Sequence, residues 1–188
     1  LEEGRMIAEG KPLDVLRSYH KSIYDNQSAK EQDSNGDNES PESKITESTQ
    51  ISESFYDEAL VDTPSVSYNK RGGEISNPRV LSEINKKINI IPQNNKCSIR
   101  YTFKCTKDLS GVLFGFQVKN VDGLEVAGMS HPANEQPEDS VFPGRYELTF
   151  PIEMRLSPGD YFLSFGVRSL MDDGFVHRIV DAYRIRVI

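Results

Sequence analysis

From Cys97 onward the chain repeats one pattern, apolar and polar side chains in alternation, and a period of two suits only extended strands with one buried face. Cys97, Ile99, Tyr101, Phe103 and Cys105 alternate with Ser98, Arg100, Thr102 and Lys104. Val112, Phe114, Phe116 and Val118 alternate with Leu113, Gly115, Gln117 and Lys119. Tyr146, Leu148, Phe150, Ile152 and Met154 form a third such set, and Tyr161, Leu163, Phe165 and Val167 a fourth, the latter interleaved with Phe162, Ser164, Gly166 and Arg168. Adding 79–88, 125–131 and 176–188 gives about seven strands, with turn signals at Asp122-Gly123, Pro143-Gly144, Pro158-Gly159 and Asp173-Gly174 between runs. Strands with one face in and one face out predict an all-β fold, an antiparallel sandwich of Ig-like or jelly-roll type over residues 67–188.

The remainder does not share this pattern. Residues 1–24 read as a short hairpin and a helix: Gly4 and Gly10 mark turns, Pro12 suits a first helical turn, and Leu13, Leu16, Tyr19 and Ile23 recur at helical spacing. So small a piece cannot bury its own apolar face, so it reads as the tail of a larger domain, and Leu1 in mid-pattern gives the expectation of a fragment. Residues 25–66 carry eleven acids against Lys30 and Lys44, a balance of -9 in a chain whose net charge is -7. That stretch is predicted to be a flexible acidic linker, because it has too little apolar surface to offset its ordering entropy. Phe55, Tyr56, Leu60 and Val61 are its exceptions, suited to docking on the following domain.

Little here points to catalysis. Gly4 to Pro12 superficially suggests a phosphate loop, but five residues separate its glycines and Pro12 stands where a magnesium-binding hydroxyl is required. His20, His131 and His177 form no close-spaced set, so no metal site is predicted. Glu135, Glu138 and Asp139 fall in a Pro-containing stretch read as a loop of solvated acids, and no Gly-x-Ser-x-Gly elbow occurs. Cys97 and Cys105, eight positions apart on one strand, would stand roughly 26 Å apart, too far for a disulfide. There is no apolar run of membrane-spanning length, no signal-peptide pattern and no basic stripe of the kind nucleic acid requires, so a cytosolic chain without a nucleic-acid partner is expected.

Three stretches carry a resemblance. Residues 4–19, GRMIAEGKPLDVLRSY, resemble the end of an ABC-transporter nucleotide-binding domain. The stretches FGFQVKNVDG (114–123), LSPGDYFLSFGV (156–167) and HRIVDAYRIRV (177–187) resemble the carboxy-terminal domain of Wzt-type subunits, the ATPase components of O-antigen polysaccharide exporters. The resemblance implies a carbohydrate-binding sandwich that recognises O-antigen polysaccharide at the cytoplasmic face of the bacterial inner membrane, as part of lipopolysaccharide biosynthesis. ATP and magnesium would belong to an upstream domain, since this chain shows no Walker motifs and is not expected to be an enzyme itself. The implied partners are the membrane permease subunit, through the ATPase domain, and a second copy in a homodimer.

Sugars are held by a flat aromatic ring beneath their apolar face and by planar polar groups around their hydroxyls. Phe162 is an aromatic on the polar parity of its strand, with Ser164 and Arg168 beside it. Gln117 on a second strand, and His177 and Arg178 on a third, complete the candidate set. The competing reading is a sandwich used only for assembly, docking the ATPase to itself or to a glycosyltransferase.

Overall fold

The computed structural model describes residues 55–61, 65–68, 70–133, 138–171 and 174–188, all within a unit spanning Ser54–Ile188. The hairpin-and-helix reading of 1–24 and the linker reading up to residue 54 lie outside the described residues. Among the described residues, eleven strands follow a short 3-10 turn at Glu58–Leu60. They are β1 Val66–Ser67, β2 Gly73–Ser82, β3 Lys87–Ile88, β4 Ile90–Ile91, β5 Lys96–Cys105 and β6 Leu109–Asn120. Then come β7 Glu125–His131, β8 Glu138–Val141, β9 Gly144–Glu153, β10 Gly159–Ser169 and β11 Gly174–Val187.

Two sheets form a β-sandwich, as the alternation predicts. The larger runs β1-β11-β10-β6-β7, with β4 added beside β11 and β8 beside β6; the smaller runs β3-β2-β5-β9. All pairings are antiparallel except β4 with β11. The inward residues of the alternating runs meet between the sheets: Tyr101, Phe103, Phe165, Leu163 and Ile185 are almost completely enclosed. Across the gap, Tyr101 meets Phe165 edge-on at 5.3 Å, Phe103 meets Phe114 at 5.6 Å and Phe150 meets Phe116 at 5.2 Å. Each such pair adds about 1 kcal/mol beyond the area it buries. Cys97 and Cys105 are buried free thiols, with burial pushing Cys97 up to about 11.

Two sequence expectations change. The run 79–88 is not one strand: β2 ends at Ser82, a turn follows in which Asn85 takes φ 58, and β3 folds back so that Val80 faces Ile88. The acids near residue 138 are not all in a loop, because Glu138–Val141 forms β8 against β6. Glu138 stands 3.7 Å from His131.

The sandwich also includes residues ahead of Ser67. Leu60 is buried, and Phe55 O accepts the N–H groups of Asn89 and Ile90 at 2.9 Å. Asn89 and Asp57 clasp each other twice. The Asp57 N–H donates to Asn89 Oδ1 at 2.7 Å, and the Asn89 amide donates to Asp57 O at 2.7 Å.

Candidate functional site

On the outer face of the larger sheet, successive outward positions of β10 are Phe162, Ser164, Gly166 and Arg168. The register sets Ser164 beside Gln117, and Gly166 between Gly115 on β6 and Arg178 on β11. Two side-by-side glycines at the centre of a wide sheet leave its surface bare. The resulting groove has a volume of about 360 Å³. Its floor admits no larger residues: a Cβ on Gly115 would lie 2.9 Å from Met129 O, and one on Gly166 would lie 2.8 Å from Phe175 Cε1.

Phe175, half-buried, lies over Gly166 and forms the groove's aromatic wall. Two guanidiniums attend its ring, Arg178 at 4.9 Å and Arg168 at 5.6 Å from the centroid. Arg178 also lies 6.0 Å from the Tyr68 ring and donates across the glycine floor to Gln117 Oε1 at 3.4 Å. These contacts hold a flexible cation in one plane, where its N–H fork faces outward groups in fixed geometry. Ser130 and the Met129 backbone carbonyl from β7 close the opposite side.

A bulge in β11 sets this geometry. Strict alternation from Arg178 would put Val176 outward, but Val176 and His177 are both buried and the register slips between Val167 and Arg168. The extra residue brings Phe175 onto the same face as Arg178. A second slip, between Leu163 and Phe165, accommodates Asp181, whose backbone takes φ 53. Ser164 holds that conformation, its Oγ accepting the Asp181 N–H at 3.0 Å and standing 3.4 Å from Oδ1.

Of the residues singled out from sequence, Gln117, Ser164, Arg168 and Arg178 line the groove. Phe162 does not: it stands two positions along β10 from Ser164, beside Lys119, with the Arg184 guanidinium 5.7 Å from its ring. His177 is 1% exposed and faces the core. Its Nδ1 accepts the Ile75 N–H at 2.9 Å, so the neutral ring carries its proton on Nε2, 3.1 Å from Ser67 Oγ. Burial holds its pKa below the usual histidine value. So enclosed a ring has no free edge for a ligand, and its work is to tie β11 to β2 of the other sheet. Phe175 and the β7 residues were missed. Phe175 stands beside the Asp173-Gly174 turn signal, and only the bulge gives it the parity of Arg178.

A second recess, about 480 Å³, lies on the outer face of the smaller sheet beside Arg100. Its arginine is already engaged, by Asn85 Oδ1 at 2.9 Å and Glu147 at 3.5 Å. Among the described residues no group of three or more His, Cys, Asp or Glu could hold a metal ion, and no helix is long and apolar enough to cross a membrane.

The profile of the Wzt C-terminal domain family matches residues 65–188. Among solved structures, one described as the C-terminal domain of wzt superimposes with a TM-score of 0.61 at 22% identity, covering 69% of this chain and 81% of that one. A Niemann-Pick type C2 protein from Japanese carpenter ant aligns over 67% of this chain and 100% of its own, at 11% identity and a TM-score of 0.43. No curated protein matches in sequence.

Proposed function

The chain belongs to the Wzt C-terminal domain family, and on that premise we propose that its sandwich recognises the O-antigen polysaccharide that the exporter carries. The family is a non-catalytic domain of the Wzt ABC exporter. The observation that carries the finer reading is Phe175, flanked by Arg168 and Arg178 above a floor of Gly115 and Gly166. A bare floor lets a sugar ring approach the sheet, the aromatic wall takes its apolar face, and planar Arg and Gln groups meet its hydroxyls. ATP, magnesium and the permease contact would belong to the exporter's nucleotide-binding part at the cytoplasmic side of the inner membrane. The residues ahead of Phe55 would tether the sandwich there, raising the local concentration of captured polymer, so weak binding suffices.

The test is isothermal titration of the whole chain with O-polysaccharide from its own source strain and from an unrelated serotype. Saturable binding to the first alone is the expected result. Binding to neither removes the recognition reading.

One observation favours assembly as a second role. All seven residues of β7 are exposed, and among the described residues β7 pairs only with β6. Its Val126 and Met129 are 40% and 44% exposed. A strand bare on both faces, with an open backbone edge, suits pairing with a second copy, as expected of a homodimer.

A further inference from the structure

The groove is rich in donors and poor in acceptors. Among the described residues no Asp or Glu lines it; Asp172 and Asp173, which precede β11 in sequence, lie outside those residues. Gln117 Oε1 already accepts from Arg178, and Ser164 Oγ accepts the Asp181 N–H. What remains is the Ser130 hydroxyl, the Gln117 amide N–H groups and the two guanidiniums. A neutral sugar hydroxyl both donates and accepts, so a site built for hydroxyls alone needs acceptors as well as donors.

Five arginines elsewhere in the sandwich have carboxylate partners. Arg79 and Arg100 share Glu147, Arg155 pairs with Glu153, and Arg184 and Arg186 share Asp160. Arg168 and Arg178 have no carboxylate partner among the described residues; their contacts are aromatic rings and Gln117. On a chain of net charge -7, two cations that no described carboxylate pairs, both facing one groove, suit an anionic ligand.

We propose, resting on the carbohydrate reading, that the groove takes an acidic glycan, its sugar ring against Phe175 and a carboxylate or phosphate group held between Arg168 and Arg178. The shared chemistry is a planar or tetrahedral oxyanion accepting N–H groups from both forks, which a neutral glycan cannot supply.

The test is titration of the whole chain with its own strain's O-polysaccharide in three forms: untreated, carboxyl-reduced to the neutral alcohol, and dephosphorylated. The expected result is binding of the untreated polymer, loss of about tenfold or more in affinity on one of the two treatments, and weakening with added salt. Loss on carboxyl reduction assigns a uronic-type acid; loss on dephosphorylation assigns a phosphate. Arg168→Gln and Arg178→Gln should reproduce the loss. Arg178→Lys, which keeps the charge, should retain more affinity than Arg178→Gln, and unchanged thermal melting would show that each variant folds. Equal binding of all three forms with no salt dependence would overturn the acidic-ligand proposal and leave the carbohydrate reading standing. No binding even of the untreated polymer would overturn both.

Discussion

Gly166 lacks a side chain where Phe175 has taken the room one would need, 2.8 Å from the missing Cβ. Gly166→Val must therefore push Phe175 aside and fill the groove floor. Polysaccharide affinity should fall by at least about tenfold in titration, with a stability cost of about 1–3 kcal/mol from overpacking. An unchanged dissociation constant would exclude this groove as the site. Asp160 is a residue of another kind, a carboxylate gripped by Arg184 at 2.6 Å and Arg186 at 2.7 Å. The Arg186 hydrogen bond is the main cause that holds its pKa down at about 2, below the ordinary 3.8. A depressed carboxyl stabilises the fold above its unfolded value, and that contribution fades as pH drops from near 3.8 through about 2. Because solvent reaches this cluster, Asp160→Asn should cost only about 1 kcal/mol at neutral pH. Denaturant titrations should find that difference shrinking below pH 4.

At the scale of single strands, β7 is the element most at odds with a lone sandwich. Aligned with core-facing Phe116 on β6, Met129 lies on the inward face of the sheet yet is 44% exposed. Val126→Lys with Met129→Lys should leave melting within about 0.5 kcal/mol of the parent and convert a dimer to monomer in sedimentation. A monomeric parent would dismiss the edge-pairing idea. The long strands were legible from sequence because inward residues such as Phe103, Phe116 and Phe165 kept their parity throughout. The short ones were not, since two-residue strands such as β3 and β4 have too few positions to show a period. Bulges hid the groove in the same way. Parity carried Gln117, Ser164, Arg168 and Arg178 to one face, whereas Phe175 joined them only through a slip that pattern alone does not reveal. Phe162 kept its outward parity, yet the groove lies farther along β10, above the glycines rather than at its half-buried ring.

Across the whole sandwich, one side chain spans the two sheets at its edge. His177 on β11 accepts from Ile75 on β2, and burial favours its uncharged form. Its folded pKa lies below the unfolded 6.5, so the unfolded chain takes up the proton first as pH falls. Stability should be level above that value and decline as acidity increases below it. His177→Gln, which cannot charge, should flatten that part of the curve in melting experiments from pH 8 to pH 5. An unaltered slope would mean that another group governs it.

The clasp between Asp57 and Asn89 bears on how the molecule carries load. Tension along the chain ahead of residue 55 would first meet the two N–H bonds that Phe55 O accepts from Asn89 and Ile90, then the Asp57–Asn89 clasp; the Asn89 carbonyl in turn accepts the Arg186 N–H at 2.8 Å. Arg186 and Phe175 lie eleven positions apart on β11, roughly 30 Å along the strand. On the proposed reading, pull from the preceding chain would enter one end of that strand while a captured polymer would drag on the other. Both forces would then run along the ladder of hydrogen bonds that β11 shares with β10, loading it in shear rather than peeling it one bond at a time.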